Sequence, residues 1–353
     1  MPSSQRGDAG RIPDEMTINV ALATSDALVI GCDSIASTVS YYVDPIRLQE
    51  LKKQPLTPDE SGKYTIEFTG EDIEPVVTNA WGGVTKMFEI SPQPSPVVAV
   101  TAGLAKLNDL PIASIAQEFC EAQKRRRAPQ VKVQTICNSF LRFMRARYED
   151  HYNESAIPEQ FREGPLFLVG GFGRNDKFPS IYRVNIQENS ARLAFENGRT
   201  GVAWEGQSDA VERFIRGYDR DARSDLRDKF AETLKSHSET LTLHFTDLIN
   251  QILDRIGAKM PEDIEFKVPS PPPITINWRQ YRVPLSYSNL PLQDAINFVS
   301  FLVMIQAGKS RFSIGVPTVG GRTHIGVVTR DKGFQLLNEP PLQHRYTGFS
   351  DDP

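Results

Sequence analysis

The feature that most constrains this 353-residue chain is a pattern of apolar residues near its start. Ile18, Val20 and Leu22 alternate with small or polar residues, and a second apolar run follows at 27–30. The break at 24–26 has the Thr, Ser and Asp residues of a turn. This pattern predicts a β-hairpin.

The two ends of this predicted hairpin carry polar residues. Thr17 begins the first strand and Asp33 follows the second, and antiparallel neighbours bring these ends to one edge of a sheet. We therefore expect Thr17 and Asp33 to lie side by side. A threonine hydroxyl becomes a nucleophile when its own α-amino group is free to accept the proton. In the printed sequence that amine is bonded to Met16, so the chemistry depends on the Met16–Thr17 bond.

Two later segments carry groups that suit the same chemistry. Lys86 begins a strand-like run, and a lysine beside a carboxylate raises the local positive potential. That potential favours a neutral α-amine and stabilises an alkoxide. An apolar strand starts at Val97, ends at Gly103 and leads into a helix. A backbone N–H at such a turn is well placed to donate to an oxyanion.

In this order, the segments resemble the β-type subunits of proteasomes and the bacterial proteasome-related peptidases, which are N-terminal-nucleophile hydrolases. The segments that carry the resemblance are TINVALATSDALVIGCDS, VTKMFEI and VAVTAGLA. The similarity is strongest over 16–36 and 82–106, and weaker over 164–218 and 295–330. It implies an α+β fold, a four-layer αββα sandwich with insertions.

The resemblance also implies roles for individual residues. Thr17 would be the nucleophile and, through its freed amine, the base, while Asp33 and Lys86 would be charged supports. The Gly103 N–H would bind the oxyanion. No metal and no cofactor are implied.

The chain departs from the family near its C-terminal strand. Active members carry an assisting Asp and Ser there, where this chain has Val316 and Val319. Each retained residue also has a purely structural interpretation. Thr17 suits a strand start, Asp33 suits a turn, and Lys86 suits a solvated strand edge.

Residues 1–16 are expected to be a disordered tail or the result of a mis-assigned start. If translation begins at Met16, removal of the methionine leaves Thr17 first. If the tail is genuine, the amine stays blocked, as in non-catalytic members of the family.

A single domain is expected over 17–338, with insertions near 38–80 and 219–285 and a loose tail over 339–353. The net charge of −4 argues against a generic nucleic-acid binder. No segment approaches the roughly twenty apolar residues of a membrane span. We therefore expect a cytoplasmic protein with neither nucleic acid nor membrane as a partner.

The predicted function is that of a proteasome-like N-terminal threonine hydrolase, which cleaves peptide (amide) bonds through an acyl-enzyme on Thr17. A peptide or protein substrate is implied. Because family members form rings or stacked dimers, a homo-oligomer is expected, with any ATPase partner unknown. Two alternatives stay open: a non-catalytic structural subunit, or a small-molecule amidase or acylase whose narrow pocket is closed by residues 38–80.

Overall fold

A computed structural model describes most of the chain. The described residues are 17–43, 58, 60–63, 74–125, 132–153, 155, 157, 162–195, 200–259 and 276–337. The expected tails at 1–16 and 339–353, and much of the expected insertion near 38–80, lie outside the described residues. None of the described helices is long and apolar enough to cross a membrane.

The chain divides into two compact units, Met1–Ser208 with Leu285–Pro353, and Asp209–Pro284. The strands of the first unit are β1 (Ile18–Ala23), β2 (Ala27–Cys32), β3 (Ala36–Tyr42), β4 (Glu74–Trp81), β5 (Met87–Ser91), β6 (Val97–Gly103), β7 (Lys106–Leu107), β8 (Leu110–Pro111), β9 (Pro165–Gly171), β10 (Ser180–Asn185), β11 (Ser190–Leu193), β12 (Gly201–Gly206), β13 (His324–Thr329) and β14 (Gly333–Leu336). Its α-helices are α1 (Ile112–Arg125), α2 (Val133–His151) and α5 (Leu292–Phe312), and a short 3-10 helix spans Tyr287–Asn289.

The first five-stranded sheet has the order β12-β1-β2-β13-β14, and all of its pairs are antiparallel. Every residue of β1 and β2 is buried. Helix α5 packs against one face of these strands, and β1 also contacts β6 and β9. Gly31 gives the helix room, because a Cβ there would lie 2.6 Å from Val299 of α5. The predicted hairpin is confirmed as β1 and β2, with Asn19 opposite Cys32.

The second five-stranded sheet has the order β11-β10-β9-β6-β5 and is also antiparallel. Helix α1 packs on β5 and helix α2 packs on β10. Two apolar clusters result. One contains residues of both sheets, among them Ala21, Cys32, Val98 and Val100. The other joins the second sheet to helices α1 and α2.

The predicted four-layer αββα sandwich is wrong. The described strands form four antiparallel sheets, because β3 pairs with β4 and β7 pairs with β8 outside the two larger sheets. The described part of the chain is an α+β structure with several antiparallel sheets and five α-helices. Short strand motifs predict that strands exist, but pairing and register depend on partners distant in sequence, which those motifs do not specify.

The second unit contains α3 (Asp209–Arg216), α4 (Arg220–Arg255) and a 3-10 helix at Trp278–Tyr281. The Asp219 side chain caps α4 by accepting the Ala222 N–H at 2.7 Å. This unit nearly coincides with the expected insertion at 219–285, whose place within a single domain stays a prediction.

Candidate functional site

The β1–β2 hairpin brings Thr17 and Asp33 to the same edge of the first sheet. Thr17 directly precedes β1 and Asp33 directly follows β2. The Ile18 N–H donates to Asp33 Oδ1 at 3.2 Å, and the Asp33 N–H donates to the Ile18 carbonyl at 3.3 Å. The end of the hairpin is therefore closed by hydrogen bonds between the residues that flank the expected site.

The Asp33 carboxylate is buried, at 1% exposure, and accepts four hydrogen bonds. Its Oδ1 accepts from the Ile18 N–H and from Lys86 Nζ, the latter at 2.8 Å. Its Oδ2 accepts from the N–H groups of Ile35 and Gly320, both at 3.1 Å. Buried charge is tolerated only when it is paired and hydrogen-bonded, and Asp33 meets both conditions.

The Lys86 ammonium lies between Thr17 and Asp33. It donates to Asp33 Oδ1 and makes a short contact with Thr17 Oγ1. Thr17 and Lys86 are only 6% and 4% exposed. The backbone also fixes Lys86, because the Thr101 N–H donates to the Lys86 carbonyl at 3.0 Å. Three residues separated by up to 69 positions thus form one buried polar cluster.

A turn at the end of β12 holds the backbone of Thr17. The Gln207 N–H donates to the Thr17 carbonyl at 2.7 Å. Gly206, one residue earlier, has a φ of 88° and faces the same carbonyl, so that a Cβ at this position would collide with the Thr17 oxygen. Only glycine fits this turn while β12 stays paired with β1.

Gly103 ends strand β6, opposite Pro165 of β9, and has a φ of 76°. A Cβ there would lie 2.8 Å from the Gly164 carbonyl, which explains the glycine. Strands β1 and β6 contact each other across the two sheets. The oxyanion role of the Gly103 N–H stays a prediction.

The two valines near the C-terminal strand differ in burial: Val319 is buried and Val316 is exposed. Polar side chains of neighbouring residues make the hydrogen bonds of this segment. Ser310 Oγ accepts the N–H groups of Thr318 and Val319, and Thr318 Oγ1 donates to Gln207 Oε1 at 2.8 Å. Sequence reasoning missed Ser310, Thr318 and Gln207, since the last two are 111 positions apart and no local pattern joins them.

A thiol also lies near the cluster. Burial is the largest of the effects that together raise the pKa of the Cys32 thiol to about 12. The Lys86 charge lowers this pKa and the Asp33 charge raises it, and both effects are smaller than that of burial. Because the thiolate is the nucleophilic form of cysteine, this raised pKa disfavours Cys32 as a nucleophile near neutral pH.

Comparison with known proteins gives matches among solved structures only. No family model matches the chain, and no curated protein matches it. The helical assembly of the Anbu complex from Pseudomonas aeruginosa is similar at 13% identity and a TM-score of 0.43, over 91% of this chain and 86% of that one. Anbu from Hyphomicrobium sp. strain MC1 is similar at 12% identity and a TM-score of 0.40, over 90% and 84% of the two chains. Anbu (ancestral beta-subunit) from Yersinia bercovieri is similar at 10% identity and a TM-score of 0.38, over 88% and 82%.

These comparisons correct the family assignment made from the sequence. The assignment to the proteasome β-type subunits and bacterial proteasome-related peptidases is wrong, because the similar structures are Anbu proteins, which resemble proteasome β subunits only distantly. Short motifs that are individually common produced the wrong assignment. The low identities and TM-scores assign no activity, substrate or partner to this chain.

Proposed function

We propose that the protein hydrolyses amide bonds, most simply peptide bonds, with Thr17 as the nucleophile once its α-amine is free. The observation that carries this proposal is the contact of the buried Lys86 ammonium with Thr17 Oγ1, while Asp33 anchors the same ammonium at 2.8 Å. A structural threonine needs no buried cation at its hydroxyl, whereas a nucleophilic one is stabilised by it as the alkoxide develops.

The reaction balances with groups of the chain and one water molecule. The Thr17 α-amine accepts the proton of Oγ1 as that oxygen attacks the amide carbonyl carbon. The tetrahedral intermediate collapses, the amine returns the proton to the leaving nitrogen, and an ester on Thr17 remains. Water, deprotonated by the same amine, then attacks the ester carbon. The bond from that carbon to Oγ1 breaks, the amine returns the proton to Oγ1, and the acid is released with Thr17 regenerated.

Lys86 and Asp33 would act by electrostatics rather than by transferring protons. In a buried site the ammonium stabilises negative charge on Oγ1 more than it would in water. Asp33 keeps the ammonium in place, and the backbone donors of Ile18, Ile35 and Gly320 keep Asp33 in place. The Gly103 N–H is the proposed oxyanion donor.

The partners follow as part of the proposal. The substrate would be a peptide or protein, the location would be the cytoplasm, and the chain would act as a homo-oligomer. A second candidate, a non-catalytic structural subunit, is favoured by Met16, because the peptide bond between Met16 and Thr17 blocks the α-amine in the printed sequence.

The test compares four chains that differ only at the N-terminus or at Thr17. One starts at Met16, so that methionine removal exposes Thr17, and the second starts at Met1. The third and fourth are Thr17→Ala and Thr17→Ser in the first background. Intact mass establishes each N-terminal residue. A panel of fluorogenic peptides and small acyl amides then measures hydrolysis.

We expect turnover only in the chain that begins at Thr17, and retention of part of it in Thr17→Ser. Activity on acyl amides alone would favour a small-molecule amidase. If a chain shown to begin at Thr17 cleaves nothing in the panel and equals Thr17→Ala, the structural-subunit function replaces the hydrolase.

A further inference from the structure

Asn19 is a buried amide without a hydrogen-bond partner among the described residues. It is 0% exposed, and neither Oδ1 nor Nδ2 meets a donor or acceptor of the described chain. The only other buried side-chain atom in that state, within the same described residues, is Thr101 Oγ1. A buried amide left unpaired is costly, so folded proteins usually satisfy such a group with protein atoms or an ordered water.

Asn19 lies on the same face of the sheet as the candidate nucleophile. It is two residues after Thr17, and side chains of a strand alternate between its faces. In the sheet register Asn19 is directly opposite Cys32 and Glu205. Cys32 belongs to the apolar cluster between the two large sheets, so Asn19 also faces that space.

Lys86, which contacts the Thr17 side chain two residues before Asn19, has one N–H without an acceptor among the described residues. An ammonium group carries three N–H donors, and those of Lys86 have two acceptors among the described residues, Thr17 Oγ1 and Asp33 Oδ1. The charge of Lys86 acts on Cys32, the direct neighbour of Asn19 in the register. The unmatched donor and the unpaired amide thus belong to one buried neighbourhood.

The geometry points to a bound water molecule, and we propose that it links the Lys86 ammonium to the Asn19 side chain. The water oxygen accepts a hydrogen bond from the third N–H of Lys86, and a water O–H donates to Asn19 Oδ1. The Cα atoms of Thr17 and Asn19 are about 7 Å apart along a strand, a span that one bridging water suits. Asn19 is therefore a positioning residue for Lys86. The expected effect of Asn19 on catalysis rests on the proposed function, whereas the proposed water link between Lys86 and Asn19 does not.

A double-mutant cycle on thermal stability tests this link without any catalysis. The variants are Asn19→Leu, Lys86→Met and the combination, all in the chain that begins at Met1. If the amide were dry, leucine of similar shape would remove an unpaired group and raise Tm. If the amide holds the water of Lys86, leucine strands a buried N–H donor and lowers Tm by at least about 2 °C.

We expect Asn19→Leu to lower Tm by that amount when Lys86 is present. In the Lys86→Met background we expect the same substitution to lower Tm less, or to raise it. An increase of Tm in the Lys86 background, or equal changes in both backgrounds, would overturn the proposal. Thr101→Val is the matched control. Val98 and Val100 face the space between the sheets, so the alternation of β6 points Thr101 to the opposite face. Thr101→Val should not lower Tm and should not couple to Lys86→Met.

A crystal structure of the unsubstituted chain keeps the proposal testable if a variant does not fold. We expect a water within about 3.2 Å of both Lys86 Nζ and Asn19 Oδ1. Its absence in a well-ordered map refutes the link.

Kinetics then separate this proposal from the proposed function. In the chain that begins at Thr17, Asn19→Leu should lower kcat about tenfold with KM unchanged, and Asn19→Ser should restore part of the loss. A bound water without turnover refutes the hydrolase alone. Turnover with no water, and a Tm raised by Asn19→Leu, refutes the role of Asn19 alone.

Discussion

Strands β1 and β2 and helix α4 represent opposite extremes of burial. All twelve residues of the two six-residue strands are buried, whereas none of the 36 residues of α4 is. The candidate site lies at the end of the buried strands. Charged groups can be buried there because each one has a partner that offsets the cost of desolvation. Helix α4, in contrast, depends on local interactions along its own length.

Burial decides where substitutions should matter. A change at the buried edge removes a partner that water cannot replace. A change on α4 exposes or removes a side chain that is already solvated, as Leu243 is at 71% exposure. Matched pairs of substitutions, one in each region, therefore test whether burial rather than residue type sets the effect.

The largest effect on stability is expected from Asp33→Asn. The substitution leaves the Lys86 charge buried without its counter-ion, which should cost about 3–5 kcal/mol of unfolding free energy. Urea unfolding measures the loss. The control is Asp228→Asn on α4, where the ion pair with Arg227 is exposed and the expected change is negligible. Equal losses at Asp33 and Asp228 would contradict the contrast.

A second pair removes the same apolar atoms in the two regions. Leu22→Ala on β1 should cost about 2–5 kcal/mol, because Leu22 is fully buried and leaves a cavity. Leu243→Ala on α4 should change the unfolding free energy by no more than about 0.5 kcal/mol. Urea midpoints of the two variants give the comparison, and a costly Leu243→Ala would show that α4 is covered in solution.

A smaller effect is expected at the start of α4, where Asp219→Ala should cost about 0.5–2 kcal/mol by removing the helix cap. Burial raises the pKa of Asp219, but its hydrogen bonds with the Ala222 N–H and Arg213 outweigh burial, and the pKa is lowered overall. With a depressed folded pKa, the stabilisation is present above the unfolded value of about 3.9 and disappears as pH falls through the folded value.

Amide hydrogen exchange at Ala222 measures this dependence. Protection should fall as the pH is lowered below about 4 in the unsubstituted chain. The Asp219→Ala variant should show weak protection at every pH. A pH-independent protection factor in the unsubstituted chain would contradict the cap.

The smallest expected signal is the absence of a reaction. Cys32 is buried and its raised pKa keeps it protonated, so Ellman's reagent at pH 8 should leave it unmodified in the folded chain and modify it in urea. Leu243→Cys on α4 supplies the contrasting exposed thiol, which should react at once. Peptide mapping assigns the labelled residue, and rapid labelling of Cys32 would show that the buried edge opens.

Local pattern predicted the parts of the fold that are set locally. The alternation around Ile18 and Val20 predicted the hairpin, and hairpin geometry placed Thr17 beside Asp33.

Contacts between distant segments were not predictable in the same way. The prediction that Lys86 lies near Thr17 rested only on a resemblance whose family assignment is wrong. The hydrogen bonds among Ser310, Thr318 and Gln207 had no signal in the sequence. The predicted sheet arrangement was wrong for the same reason. The β3–β4 and β7–β8 pairs depend on register and not on composition.

The most direct test of the account is covalent labelling of Thr17. A peptide epoxyketone closes a stable ring only with a hydroxyl and a free amine of the same residue, so its adduct reports both groups of the proposed site. In the chain that begins at Thr17, intact mass and peptide mapping should show one adduct per chain, on Thr17, and none in Thr17→Ala or in the chain that begins at Met1. A chain proven to begin at Thr17 that stays unlabelled would contradict the claim that Thr17, Lys86 and Asp33 form a nucleophilic site.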